Sequence, residues 1–364
     1  MIDRSGIRPK DLTGNEKAEN YILYGGASAE EYYRCLPEIR KSSRKRLTTL
    51  LWITVFFLLI ALSIVHFSPV SQGTFRLYAG SLVLVFALLF GTARMTDKDD
   101  HLLNLYISTY IILLYMIGLC IAMLSERNVP SVTFIAFLLT VPVLFVQSPL
   151  RNITYTVMFD ALFIIIVHFL KSGEAAMLDL INGVIFGSIS CIVSTVIMCT
   201  RIDNFVVRDR LAYIASTDQT TQLKNRTAYA LHHTESPAKC RETLTCVYAD
   251  INGLHEVNNT QGHQAGDKML AFIACAFRRQ FGDQDAYRMG GDEYLAMIPD
   301  VDEVHLEHKV QAFKRTIEAA HYHAAIGYAT MPVKDIRVDE LMQAAEQKMY
   351  ADKEAYYALK GRRR

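Results

Sequence analysis

Arg288-Met289-Gly290-Gly291-Asp292-Glu293-Tyr294 lies where two short apolar runs meet, Asp285–Met289 and Tyr294–Ile298, each of which reads as a strand. Two glycines between strands supply the positive φ angles of a tight turn, so the stretch reads as a β-hairpin whose turn presents two acidic side chains. Upstream, Leu244–Ala249 is apolar and β-branched in the manner of a buried strand, and it ends at Asp250-Ile251-Asn252. A carboxylate at one strand end beside an acidic hairpin turn is the arrangement two hard cations need to clamp an in-line phosphoryl displacement. Gly-Gly-Asp turns are common, however, and most merely turn.

The surrounding residues are more specific. Asp218-Gln219-Thr220-Thr221-Gln222-Leu223-Lys224-Asn225-Arg226 opens the region, and Asp250-Ile251-Asn252-Gly253-Leu254-His255-Glu256-Val257-Asn258-Asn259 follows. Gly262-His263, Gly266-Asp267, the Gly-Gly turn, Ile326-Gly327-Tyr328-Ala329 and Ala345-Glu346-Gln347-Lys348-Met349-Tyr350-Ala351-Asp352-Lys353 complete the series. In order and spacing these pieces resemble the GGDEF family of diguanylate cyclases over nearly all of Ser216–Arg362. The resemblance implies a palm-like, nucleotidyl-cyclase-like α/β fold that joins two GTP molecules, one held by each protomer of a homodimer, into cyclic di-GMP with release of pyrophosphate.

Residue by residue, it implies that Asp250, Asp292, Glu293 and the carbonyl of Ile251 hold Mg²⁺, with Mn²⁺ as substitute. Asp292 and Glu293 are the implied catalytic pair, Asp292 being the base for the attacking 3′-hydroxyl. Gly290 and Gly291 let the backbone approach the nucleotide, Asn258 and Asp267 read the guanine edge, His263 is a further substrate contact, and Lys353 is a phosphate ligand. Five positions depart from the family: His255 replaces a Lys, Asn259 an Asp, Gln222 a Gly, Tyr294 the fifth motif residue and Glu346 an Asp. A GTP-binding switch without catalysis is the alternative reading, and retention of the three carboxylates favours the enzyme. Members with product inhibition carry Arg-x-x-Asp ending six positions before the first motif glycine. Here that stretch is Phe281-Gly282-Asp283-Gln284, so no such feedback is expected.

Composition divides the 364 residues unequally. Residues 1–46 are polar and end in the basic run Arg40, Lys41, Arg44, Lys45, Arg46, too far from Met1 for a cleavable signal peptide. Residues 47–200 are dominated by Leu, Ile, Val and Phe and read as a sensor bundle of about six membrane helices: Leu47–Phe67, Thr74–Thr92, Leu102–Leu124, Val129–Val146, Ile153–Leu170 and Ala175–Thr200. Flanking Lys and Arg fall mostly on one side, with Arg76, Arg127 and Lys171 on the other, which puts both termini in the cytoplasm of a bacterial cell.

Residues 201–217 carry Val207, Leu211 and Ile214 at i, i+4, i+7 and read as a signalling helix continuing the last span, with 218–364 as the GGDEF domain. Asp160 and His168 are ionisable groups inside the fifth span and are the candidates for sensing an unidentified signal ligand or partner. The net charge of +1 gives no ground for nucleic-acid binding, and seven cysteines without a CxxC pair read as reduced.

Overall fold

The computed structural model describes residues 14–67, 72–96, 99–124, 129–282 and 285–361. Two units result, Met1–Asp209 and Arg210–Arg364. The first is helical, with α1 (Gly14–Tyr24), α2 (Ala29–Phe67), α3 (Gln72–Arg94), α4 (Asp100–Leu124), α5 (Val132–Thr140), α6 (Pro149–Leu170) and α7 (Gly173–Ser216). Five of these helices, α2, α3, α4, α6 and α7, are long and apolar enough to cross a bilayer, judged by length and composition. On α2, Leu47, Leu51, Val55 and Leu58 recur at helical spacing and are buried in one apolar cluster that also holds Val85, Tyr115 and Phe163, while Trp52, Phe56, Phe57 and Ile64 of the same helix are exposed. All seven cysteines are free.

Two boundaries differ from the sequence reading. The basic run is part of α2, which passes residue 46 without a break. Val129–Val146 is not one helix: α5 has 9 residues and gives way to a 3-10 turn, Val141–Val143. Pro142 is the cause, because it has no N–H to donate to the carbonyl of Leu138, four residues back. Side chains from neighbouring helices satisfy the freed carbonyls instead. Ser190 Oγ donates to Leu138 O (2.6 Å), Asn152 Nδ2 to Pro142 O (2.9 Å), Arg201 Nη1 to Val143 O (2.5 Å) and Arg46 Nη1 to Leu144 O (3.2 Å). At the other end of this segment Lys171 Nζ donates to Val129 O (2.8 Å) and Ser131 Oγ (2.7 Å). Two of the basic residues that flank the apolar spans, Lys98 and Arg127, lie outside the described residues.

In the second unit five strands, β1 (Lys224–Asn225), β2 (Thr243–Asn252), β3 (Ala286–Arg288), β4 (Glu293–Pro299) and β5 (His323–Pro332), form one sheet in the order β1-β3-β4-β2-β5. All neighbours are antiparallel except β1 and β3. The helices are α8 (Arg226–His232), α9 (Leu254–Gln261), α10 (His263–Phe281), α11 (Glu303–Glu318) and α12 (Val338–Gly361). Met269, Ile273, Phe277 and Phe313 from α10 and α11 pack with Val247, Ala249, Tyr294 and Ala296, while Leu341, Ala345 and Met349 of α12 pack with Cys246, Tyr248 and Leu295. The alternation along each strand thus feeds two cores, one per face.

Gly327 explains how closely α12 lies on the sheet, since a Cβ there would fall 2.1 Å from Ala345 O and 2.2 Å from Met349 N. Backbone cannot yield as a side-chain tip can. Gly327→Ala is therefore expected to cost at least about 3 kcal/mol, read by urea denaturation, with faster amide exchange in α12 than in β2.

Candidate active site

The register of β2 and β4 sets Asp250 opposite Glu293. Residues directly opposed in an antiparallel pair project to the same face, so two carboxylates are held side by side, which like charges resist. Ile251 N donates to Asp292 O (2.9 Å) and Met289 N to Glu293 O (2.8 Å), which lock the turn onto the end of β2. Asp250 is buried, and its carboxyl is pushed up by burial, an effect that the Lys353 ammonium opposes and the Asp292 charge reinforces. Glu293 is likewise raised, first by burial and then by the charges of Asp250 and Asp292. Burial works to lower the Lys353 ammonium, but its bond to Asp250 outweighs this and raises it.

Lys353 Nζ donates to Asp250 Oδ2 (2.8 Å) and lies 2.7 Å from Oδ1, an ion-pair contact that leaves Oδ1 buried without a directed hydrogen bond. The preceding residue, Asp352, accepts from the backbone N–H of Ile326 (2.9 Å) and from Lys314 Nζ (2.9 Å). Anchor and counter-charge are thus adjacent on one helix.

Arg288, which the sequence reading did not single out, holds the turn from behind. It donates through Nε to Gly290 O (3.1 Å), through Nη2 to Gly291 O (2.6 Å) and through Nη1 to Asp218 Oδ1 (2.8 Å). Asp218 also accepts from Thr221 N (2.8 Å) and Oγ1 (2.7 Å). Burial alone would raise its carboxyl, but these donors outweigh burial and lower it. The glycines correct an expectation: neither Gly290 nor Gly291 has a positive φ. A Cβ on Gly290 would instead fall 2.9 Å from Glu293 Oε2, so the missing Cβ makes room for that carboxylate.

A cleft of about 530 Å³ is lined by Ile251, Gly253, His255, Asp292, Lys353 and Tyr357 among others. Asn258, His263 and Asp267 lie off its lining, on α9 and α10. Asn258 Oδ1 occupies the space where a Cβ of Gly266 would be, which ties Asn258 to the turn of α10 that carries Asp267. His263 is exposed at the first position of α10. His255 Nε2 and Asn259 Nδ2 lie 3.1 Å apart, so two of the departing residues bond each other. Among the described residues no three His, Cys, Asp or Glu side chains converge closely enough to hold a metal as they stand.

In the helical unit, Asp160 and His168 are not brought together. Asp160 lies against Gly183 and Gly187, with Oδ1 buried and without a hydrogen bond, whereas His168 is exposed and edges Phe169. Sequence reasoning also missed Asp179, a fully buried carboxylate that accepts from Ser131 N (2.7 Å), Ser131 Oγ (2.9 Å) and Lys171 Nζ (2.7 Å). Only tertiary structure reveals that partner set.

Comparison with known proteins places residues 215–357 in the family described as diguanylate cyclase, GGDEF domain. The second unit is a GGDEF domain. Its relatives include an uncharacterized protein, YtrP, of Bacillus subtilis, 33% identical over 101 residues, which cover 28% of this chain and 17% of that one. A diguanylate cyclase of Vibrio cholerae is 24% identical over 199 residues, covering 52% of this chain and 60% of the relative. Among solved structures, the GGDEF domain of DgcB from Caulobacter crescentus in complex with c-di-GMP is 22% identical, covers 39% of this chain and 91% of its own, and has a TM-score of 0.36. The chain spans less than two thirds of the length of the curated relatives it matches.

The raised acids of this GGDEF domain give a testable sign. A carboxyl raised by folding contributes stability that is present below its unfolded pKa and is lost as pH rises through the folded value. Glu293→Gln, which removes one charge and keeps the shape, is expected to raise the melting temperature by a few degrees near neutral pH. The difference should shrink as pH falls and be lost below the ordinary glutamate value of about 4.3, where the carboxyl is protonated in both the folded and the unfolded chain. Parallel thermal melts of both proteins across this range provide the check.

Proposed function

We propose that this protein is a membrane-bound diguanylate cyclase that condenses two GTP into cyclic di-GMP and two pyrophosphates under the control of its helical unit. The observation that carries the reading is the grouping of Asp250 and Glu293, each raised by burial and by the charge of Asp292, beside a cleft and a single lysine. The donors suit a hard divalent cation: all are oxygens, and Asp250 Oδ1 is buried without a directed hydrogen bond. Asp250, Asp292, Glu293 and the carbonyl of Ile251 would hold Mg²⁺, or Mn²⁺ in its place, and the ion would supply charge neutralisation at the reacting phosphate.

The remaining work falls to this chain's own groups. Asp292 takes the proton of a 3′-hydroxyl as that oxygen bonds the α-phosphorus of the GTP held by the partner protomer and the bond to pyrophosphate breaks. A second, reciprocal attack closes the ring. Asn258 and Asp267 read guanine, His263 makes a further substrate contact, Gly290 and Gly291 let the backbone approach, and Lys353 moves from Asp250 onto the phosphates. Each protomer holds one GTP, so a homodimer is required. The exposed stripe of Val207, Leu211 and Ile214 on α7 supports pairing between two copies of that helix.

The membrane reading rests on the five long apolar helices and on the broken segment as a sixth crossing. Lys171 meets that segment at one end and Arg46 and Arg201 meet it at the other, which supports an even number of crossings, a cytoplasmic location for both termini and residence in the bacterial cell membrane. Asp160 and His168 remain the candidates for a sensory role.

Detergent-purified protein given GTP and Mg²⁺ should yield cyclic di-GMP and pyrophosphate, and Asp292→Ala should reduce turnover at least about 10²-fold while the domain stays folded. Wild-type turnover in that variant overturns the assignment; GTP binding without turnover in the wild type favours the silent switch.

Phe281 bears on feedback. It is buried against Phe277 and Phe313, with ring centroids at 4.7 Å and 5.8 Å, and so is turned away from any surface ligand. Asp283 and Gln284 lie outside the described residues. Initial rates are expected to be unchanged by micromolar cyclic di-GMP; non-competitive inhibition in a product-titration assay refutes this.

A further inference from the structure

The helical unit contains a second polar cavity, of about 180 Å³, between α2, α4 and the start of α6. Its polar lining comes from Tyr32, Arg40, Ser43, Asn104, Gln147, Ser148 and Arg151, and among the described residues no acidic side chain contributes to it. Gln147 is the informative residue. It is only 6% exposed, and both its amide nitrogen and its amide oxygen are buried without a hydrogen-bond partner. Native proteins rarely bury a primary amide with neither atom bonded, so a group that supplies both an acceptor and a donor belongs beside it. The next residue, Ser148, is the N-cap of the 22-residue helix α6 and makes no side-chain cap bond, so the positive end of the helix faces the same place.

We infer that this cavity binds a phosphate-bearing anion. Two guanidinium groups supply charge and forked donors, the α6 N-terminus adds partial positive charge, and Gln147 donates to a phosphate oxygen while accepting from a hydroxyl of the same ligand. The position suits such a ligand. Arg40 lies less than two turns before Leu47, where the apolar part of α2 begins, which is headgroup level if α2 crosses a bilayer. The ligand source is thus a lipid headgroup or a soluble phosphate, the former resting on the membrane reading above. The site also touches the control path: the loop that carries Gln147 is tied to α7 through Arg201 and Val143 O and to α2 through Arg46 and Leu144 O. Occupancy therefore stiffens the junction of α2, α6 and α7.

The test uses the full chain in nanodiscs of phosphatidylcholine alone, of phosphatidylcholine mixed with phosphatidylglycerol, and of phosphatidylcholine with added inorganic phosphate, with sodium chloride matched for ionic strength. Phosphatidylglycerol or phosphate is expected to raise the wild-type melting temperature by at least about 3 °C. A shift with the lipid alone assigns a headgroup, and a shift with phosphate assigns a soluble anion. Gln147→Glu places an isosteric carboxylate in the cavity that both arginines line; it should keep or raise the basal melting temperature and abolish the shift. An equal shift in that variant, or none in the wild type with either probe, overturns the proposal. Repeating the phosphate arm in detergent separates the two readings, because failure to enter nanodiscs counts against the membrane assignment while a shift in detergent still supports the site.

Discussion

Asp250 and Glu293 face each other across adjacent strands, and most of the second unit serves to hold that unfavourable pairing in place. Left alone, a buried and a half-buried carboxylate in register would favour protonation or a slip of the strands. Three devices oppose this. Arg288 pins the turn by its carbonyls, Gly290 leaves space for the Glu293 side chain, and Lys353 brings a positive charge within ion-pair distance of Asp250. The electrostatic cost of the paired carboxylates is thus offset by contacts from β3, from the turn and from α12.

How much of this was legible in the sequence depends on whether the cause was local. The ends of β2 and β4 follow from apolar runs stopped by acidic residues, and the motif spacing located Asp250, Asp292, Glu293 and Lys353. Arg288 was not legible as a clamp, because its partners Asp218, Gly290 and Gly291 meet only once β1 lies beside β3. The positive φ expected of the Gly-Gly turn is absent, and what Gly290 supplies instead is space for the Glu293 carboxylate, which only the folded turn reveals. In the helical unit the apolar count found the long helices, yet it could not see that Pro142 breaks Val129–Val146 or that Ser190, Asn152, Arg46 and Arg201 repair the break.

The departures from the family pattern are physically distinct. Tyr294 is fully buried, and its hydroxyl donates to Leu270 O at 3.1 Å, so the extra polar atom is satisfied. Gln222 adopts φ +57, a left-handed conformation that a glycine takes without strain, and its side chain offsets that strain by donating to Gln219 O and accepting from Tyr213. The Tyr213 bond joins the end of α7 to the opening motif, a link that glycine could not make.

Asp352 and Lys353 give α12 two unlike tasks at neighbouring positions: one residue fastens the helix to the backbone of β5, the other neutralises Asp250. Because anchor and counter-charge share one rigid element, a small displacement of α12 withdraws positive potential from the carboxylates before it opens the core. The seating of this helix thereby sets the electrostatic potential at the carboxylates while every strand stays where it is.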